Sequence, residues 1–449
     1  MNAGTDCPAT GGDGLATRSE ADRVFARITM RLVPLLFLCY LSAFVNRNNI
    51  GLAKLQMQGA LGFSDAVYGV AASAFFVGIL VFELPSNLLL RRVGVRRTLL
   101  RIMVLWGTVA AATMFVRTPG QFYVLRFLLG AFEAGFFPGV VLYLTFWFPP
   151  ERRAKVIALF MTAAAAAGLV TGPVSGWVLN SMDRVAGLDG WQWLMLLEGV
   201  PSIVLGVIAF CVLPEAPEHA RWLSADERRI VQGSLAAPGA RHAGGHPVRA
   251  ALRDPGVYLL GYTVFSLACA TNLLLFWLPT IIEATGVTNL QHVGLYVVIP
   301  NLIGAVAMVW YGRRSDRHGE RHVHFVVAVG AGIAGLCAIA ASRDALPGVI
   351  AGAVLATSGI ASAYPVFWAI ATRLLSREAA AAGIAVISSM AAAAGISSIL
   401  FGAIRVRTGS LEPALYLVAA TLAAAVLLFV FVIRPRVAAT APASKERQS

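Results

Sequence analysis

The stretch VPLLFLCYLSAFVNRNNIGLA (33–53) decides how this chain is read. It is apolar and long enough to cross a hydrocarbon core about 30 Å thick, which takes about 20 residues of helix. Yet it carries Arg47. A second stretch of the same kind, FYVLRFLLGAFEAGFFPG (122–139), carries Arg126 and, seven residues on, Glu133. Ionised side chains are expensive in hydrocarbon and persist where they face a polar cavity or a partner. Two cations and one titratable carboxyl in apolar helices point to a pathway for a small organic anion.

The rest of the chain agrees with this reading. Of its 449 residues, 58% are hydrophobic and 13% charged, with a mean hydropathy of +0.73. A soluble domain would carry about 25% charged residues. Twelve near-uncharged runs occur, centred near residues 41, 78, 107, 134, 166, 202, 269, 302, 332, 360, 391 and 423. They are apolar all round rather than alternating, so helices and not barrel strands are expected. The fold class predicted is an all-α membrane protein with twelve transmembrane helices in two six-helix bundles.

The net charge of +13 does not mark a nucleic-acid binder. Six Lys and Arg residues fall on one side of the predicted spans: Lys54, Arg117, Arg184, Arg343, Arg405 and Arg407. Arg47, Arg101 and Arg126 lie within spans, which leaves 27 of the 36 on the other side. That asymmetry follows the positive-inside rule and puts both termini in the cytoplasm. Residues 1–28 are polar and Gly-rich and lack the apolar core of a signal peptide, so a disordered tail is expected. The first bundle is expected over 29–213, a central cytoplasmic loop over 214–254, the second bundle over 255–434, and a basic tail over 435–449.

Within the loop, ARWLSADERRIVQ (220–232) is amphipathic, with Ser224 placed to cap a helix and Glu227 three residues on. His242 and His246 have no companion ligands. The five cysteines, Cys7, Cys39, Cys211, Cys269 and Cys337, show no framework or metal spacing. No HExxH, GxSxG or nucleotide loop is present, so no enzyme activity, metal or cofactor is expected.

Helical rise sets the expected depths. Arg47 lies about 22 Å from Leu32 and hence roughly 8 Å from the outer edge; Arg126 and Glu133 lie about 6 Å and 16 Å in from Phe122. The arginines are expected in one layer above the glutamate. An arginine fork binds carboxylate bidentately and keeps its charge. Glu133 is the candidate proton carrier, pulled one way by burial and the other by arginine. Tyr40, seven residues before Arg47, shares its face and is a candidate substrate contact, as are Asn272 and Trp277 in the seventh span and Ser388 in the eleventh. In GLVTGPVSG (168–176), Gly168, Gly172 and Gly176 form a smooth face for another helix.

The halves echo each other. LLLRRVGVRR (88–97) follows the second span and WYGRRSDRHGER (310–321) the eighth. The latter resembles the loop signature of the major facilitator superfamily, with Gly312, Asp316, Arg317, Gly319 and Arg321 in matching positions. NRNNIGLA (46–53), RFLLGAFEAGFFPGVVLYLTFWFP (126–149), GWQWLMLLEGVPS (190–202) and LPEAPEHARWLS (213–224) narrow the resemblance to its anion:cation symporter branch, transporters of hexuronates, galactonate, tartrate and phthalate. The resemblance implies alternating-access import of an organic anion with protons; a monomer is expected, and the Ala- and Arg-rich composition without an N-glycosylation sequon points to a bacterial inner membrane. The resemblance implies Arg47 and Arg126 as substrate-binding arginines and Glu133 as the fourth-span acid.

Departures from that pattern carry information of their own. Where the family commonly has Tyr-x-Asp-Arg, this chain has Phe44-Val45-Asn46-Arg47. Asn46 keeps the position as a candidate substrate contact but cannot titrate. A common seventh-span tyrosine is replaced by Asn272, and Ile387-Ser388-Ser389 followed by Ala391–Ala394 replaces a more polar eleventh-span stretch. A less hydroxylated substrate, an aromatic or short aliphatic carboxylate, is expected, with coupling resting on Glu133; an uncoupled facilitator or exporter of organic anions, or a ligand-sensing transceptor, is the alternative.

Overall fold

Alanine, leucine, valine and glycine run through segments that are almost wholly helical, because in lipid a backbone must satisfy its own hydrogen bonds. The computed structural model describes residues 18–235, 253–318, 321–342, 345–374 and 380–433. Among them, twelve helical spans are long and apolar enough to cross a membrane: Ser19–Leu61, Asp65–Leu90, Val95–Phe115, Pro119–Thr145, Pro150–Ser181, Gly190–Val212, Pro255–Ala284, Leu290–Ser315, Arg321–Ala341, Leu346–Thr372, Gly383–Thr408 and Glu412–Val432. They are called the first to twelfth spans below. An even number puts both described ends on one face, the terminal face; the opposite is the far face.

Two features depart from the expected pattern. First, the first span does not stop near residue 53. Helix Arg18–Asn48 passes through Asn49, whose dihedrals stay in the right-handed helical region, into helix Ile50–Leu61. Asn49 N–H donates to Val45 O and Ala53 N–H to Asn49 O, so the ladder is unbroken there. Fourteen further residues, about 21 Å of helix, therefore lie beyond Arg47, which sits well inside the span rather than near its edge. Apolarity falls at Lys54 and Gln56, but the helix continues because these side chains find partners.

Second, the fourth span is broken. One helix, Pro119–Glu133, ends at Glu133, and another, Phe136–Thr145, starts after Gly135. Gly135 takes φ +88°, a left-handed conformation natural to glycine. A Cβ there would stand 2.4 Å from the Ser86 hydroxyl. That hydroxyl also accepts from Arg101 Nη2 at 3.0 Å, so the second and third spans are built around the break.

The two halves are joined in the parts of their spans nearest the far face. The glycine face of the fifth span meets the eighth, where a Cβ on Gly172 would lie 2.3 Å from Gly294 O and one on Gly176 would lie 2.8 Å from Leu290 O. The second span meets the eleventh, with Gly69 against Ser398 O and Gly402 against Asp65 O. Ser73 Oγ donates to the carbonyls of Gly395 and Ile396 and accepts from Ile399 N–H. Nearer the terminal face, the second and eighth spans leave Leu84, Leu88, Val306 and Trp310 exposed.

Past the sixth span, Ser224 and Glu227 form the expected reciprocal cap of helix Ala225–Leu235. Arg27 donates to Glu227 Oε1 at 2.9 Å, which ties this helix to the start of the first span. Upstream, Glu215 accepts from Val95 N–H at 2.7 Å, beside the positive-φ Gly94. The turn after the second span is thereby anchored to the end of the sixth.

Candidate functional site

Three spans bring the predicted charges together. The first span supplies Arg47, the second Phe75, and the unbroken half of the fourth supplies Arg126 and Glu133. Arg47 Nη2 forms a short ion pair with Glu133 Oε1. The Phe75 ring lies between the guanidiniums, 5.2 Å from that of Arg47 and 5.1 Å from that of Arg126. A second ring, Phe44, lies 4.9 Å from Arg47. Guanidinium over an aromatic face contributes about 0.5–2 kcal/mol, more as water is excluded. The rings thus hold two like charges near each other without neutralising either.

The pairing differs from the one that sequence spacing suggests. Arg126 and Glu133 are two turns apart on one helix, but Glu133 gives its bond to Arg47 on another span. Glu133 therefore lies level with Arg47 rather than beneath it. Arg126 is 3% exposed, and its Nε and Nη2 are buried without a hydrogen-bond partner. Glu133 Oε2 and Arg47 Nε are buried and unpartnered as well. A buried charged group without partners costs several kcal/mol, so the arrangement favours an anion that could bridge the arginines. Glu133 also ends its helix, where the macrodipole disfavours a negative charge.

The other predicted residues divide. Tyr40 sits among aromatics on the same face as Arg47: it stacks on Phe160 at 4.4 Å and meets Phe44 edge-on at 4.8 Å. Asn46 turns the other way. Its Nδ2 donates to Ser42 O, Glu198 O and Ser202 Oγ at 2.9, 3.0 and 3.2 Å, stitching the first span to the sixth. Asn272 is buried in the seventh span and Ser388 is exposed on the eleventh. Trp277 stacks on Lys54 at 3.9 Å. Beside Asn272, the Thr271 hydroxyl bonds Tyr364 OH at 3.3 Å. Ala268, Cys269 and Ala394 pack together against Phe265 and Ala391 in a small apolar cluster.

Of the loop signature, Gly312 and Arg317 lie on helix Leu290–His318, and Arg321 donates to Ala369 O at 3.3 Å. Asp316 is on the same helix, its side chain outside the description; Gly319, His242 and His246 lie outside the described residues. Sequence reasoning missed Phe75, Phe44 and Lys54. A signal for Lys54 existed: it follows Arg47 by seven residues, the same interval that separates Arg126 from Glu133.

Comparison with known proteins agrees with the fold and with the transport reading. The Major Facilitator Superfamily profile matches residues 36–397 and again 288–449. A candidate metabolite transporter of Pseudomonas putida, NicT, is 43% identical over 404 residues, 89% of this chain and 92% of that protein. A candidate tartrate transporter of Agrobacterium vitis is 42% identical over 424 residues, 94% of each. Among solved structures, a D-xylose–proton symporter superposes with a TM-score of 0.71 at 16% identity, covering 92% of this chain and 98% of that one. The chain belongs to the Major Facilitator Superfamily and is an integral membrane transporter, not an enzyme.

Proposed function

We propose that the chain is a secondary active transporter that imports a small organic anion by alternating access, with a proton carried on Glu133. The observation that carries this reading is the pair of guanidiniums across Phe75, one of them bonded to the chain's own carboxylate. Glu133 stands in for the substrate carboxylate. An entering anion takes Arg47 and Arg126; Glu133, released at a helix end among apolar groups, takes up a proton. Both guanidiniums are then paired in the loaded form, whereas in the empty form only Arg47 is.

The terminal face is cytoplasmic by the bias of Lys and Arg, and the bacterial source of the Pseudomonas and Agrobacterium relatives supports a bacterial inner membrane. The far-face junction between the halves makes this conformation the one open to the cytoplasm. The apolar cluster of Ala268, Cys269, Ala391 and Ala394, close in sequence to the candidate contacts Asn272 and Ser388, supports a substrate with few hydroxyls, an aromatic or short aliphatic carboxylate. One relative's name mentions tartrate, which keeps dicarboxylates in the set. The transporting unit is the monomer, since the paired charges come from one chain.

A second reading, an uncoupled facilitator or exporter, is favoured by Asn46, which cannot titrate and whose amide is committed to the sixth span. Uptake of labelled carboxylates into proteoliposomes, with and without an inward proton gradient, separates the two. Accumulation driven by the gradient supports symport. Equilibration indifferent to the gradient supports the facilitator. No uptake of any carboxylate refutes import of organic anions.

A further inference from the structure

Lys54 lies two helical turns beyond Arg47 on the unbroken first span, about 10 Å nearer the far face and on almost the same azimuth. It is 2% exposed. Its ammonium donates to Asp65 Oδ1 at 2.5 Å and to Thr280 Oγ1 at 3.0 Å. It stands 3.9 Å over the Trp277 ring and 5.7 Å from the Tyr68 ring. Tyr68 precedes Phe75 by seven residues on the second span, so the aromatic that serves the two arginines has a counterpart at the level of Lys54. The far-face site therefore repeats the chemistry of the first, a cation on an aromatic face with a carboxylate of the same chain beside it.

Lys54, Tyr68 and Trp277 line one small cavity together with Ile50, Gly51 and Phe276. The Tyr68 hydroxyl and Trp277 Nε1 are buried without a hydrogen-bond partner. An ammonium, a phenol and an indole N–H around one space form a donor set suited to a carboxylate. Trp277 belongs to the seventh span and Lys54 and Tyr68 to the first and second, so the set lies across the junction of the halves. Asp65 is also tied across that junction, accepting from Arg405 Nε at 2.9 Å. Asp65 and Arg405 come from different halves, so their bond lasts only while this junction stays closed.

We propose that Lys54, with Tyr68 and Trp277, forms a second carboxylate-binding station nearer the far face, closed in this conformation by Asp65, which an anion arriving from that face displaces before it passes to Arg47 and Arg126. The proposal rests on the anion-transport reading above. No bond is made or broken covalently; one carboxylate replaces another on the ammonium.

The test uses intact cells making the full chain, which present the far face when both ends are cytoplasmic, and labelled tartrate, succinate, benzoate and phthalate. For whichever anion the unaltered chain takes up, Lys54→Gln should raise the uptake KM about tenfold, the loss of one charge-assisted hydrogen bond. Asp65→Asn removes the competitor for Lys54 and should lower KM. Lys54→Arg should restore uptake to within a few fold of the unaltered chain. A purely structural latch predicts the same sign for Lys54→Gln and Asp65→Asn, because either breaks the same ion pair; that outcome overturns the station and leaves the Arg47–Arg126 site standing. Should Lys54→Gln fail to reach the membrane, the direction of the Asp65→Asn change decides alone: a fall carries the proposal and a rise or no change refutes it. Uptake of none of the four anions by the unaltered chain removes the anion-import reading and the station with it.

Discussion

Replacing Gly130 by alanine perturbs the crossing on which the paired arginines depend. A Cβ there would stand 1.9 Å from the Phe75 carbonyl oxygen, 2.8 Å from its carbon and 3.1 Å from its Cα. All three are backbone atoms, so no side chain can swing aside. Return to ordinary contact at 3.4 Å requires the second and fourth spans to part by roughly 1.5 Å. Gly78 holds the same crossing from the other helix, its own Cβ position 2.2 Å from Phe127 O, so there is no slack to absorb the shift. Overpacking of this kind costs about 1–3 kcal/mol, which for a bundle of this size lowers Tm by several degrees. Phe75 moves with its backbone and loosens two cation–π contacts. At about 0.5–1 kcal/mol each, their loss raises KM roughly five- to thirtyfold. The assay is uptake kinetics together with the Tm of the solubilised protein. Gly59→Ala serves as control: nothing lies within 4 Å of its Cβ position, so it should leave KM unchanged and stabilise the helix by about 0.5–1 kcal/mol. A Gly130→Ala protein with unaltered KM and Tm would refute the reasoning.

Further outcomes follow from the same geometry. Arg47→Ala and Arg126→Ala should each abolish transport while the chain stays folded in the membrane; retained binding of a labelled anion in both would place the anion elsewhere. Glu133→Gln should keep counterflow exchange and lose acceleration by an inward proton gradient, and an unchanged response to the gradient would take the coupling role away from Glu133. On the terminal face, the Ser224 amide and then Arg27 hold the Glu227 carboxyl below its ordinary value. Its contribution to the cap is complete above the ordinary carboxylate range and fades as pH falls through the lowered value. Limited proteolysis of the central linker should therefore quicken on acidification, and Glu227→Gln should flatten that dependence; a variant as pH-sensitive as the unaltered chain contradicts the assignment.

The spans and the identity of the charged residues were legible because both rest on local properties: a run of about 20 apolar residues, and the cost of an arginine within one. Partnership was not legible in the same way. Arg126 and Glu133 share a helical face in the sequence, yet Glu133 pairs with Arg47, because the break at Gly135 and the close crossing at Gly130 set where the fourth span lies. The pattern Ala134-Gly135-Phe136-Phe137-Pro138 held a hint of that break, a glycine followed by a proline three residues on. Asn46 occupies a position that the resemblance assigns to coupling, but side-chain direction, which one sequence does not state, turns it toward Ser202 and the sixth span. Lys54 read as the start of an outer loop because hydropathy counts charge and not the Asp65 and Thr280 that receive it.

The ion triplet has an electrical consequence. Two guanidiniums and one carboxylate leave the empty pathway with a surplus positive charge well inside the membrane. A monocarboxylate cancels that charge, and a proton on Glu133 restores it. A potential of 100 mV acts on one elementary charge with about 2.3 kcal/mol across the whole bilayer, so even a fraction of that drop is enough to bias which way an empty or protonated carrier faces. With the cytoplasm negative, voltage would draw the positively charged forms inward and leave the form that holds the anion but no proton indifferent. The order in which proton and anion arrive would then decide which step of the cycle the membrane potential drives, and transient currents in a planar bilayer would report it.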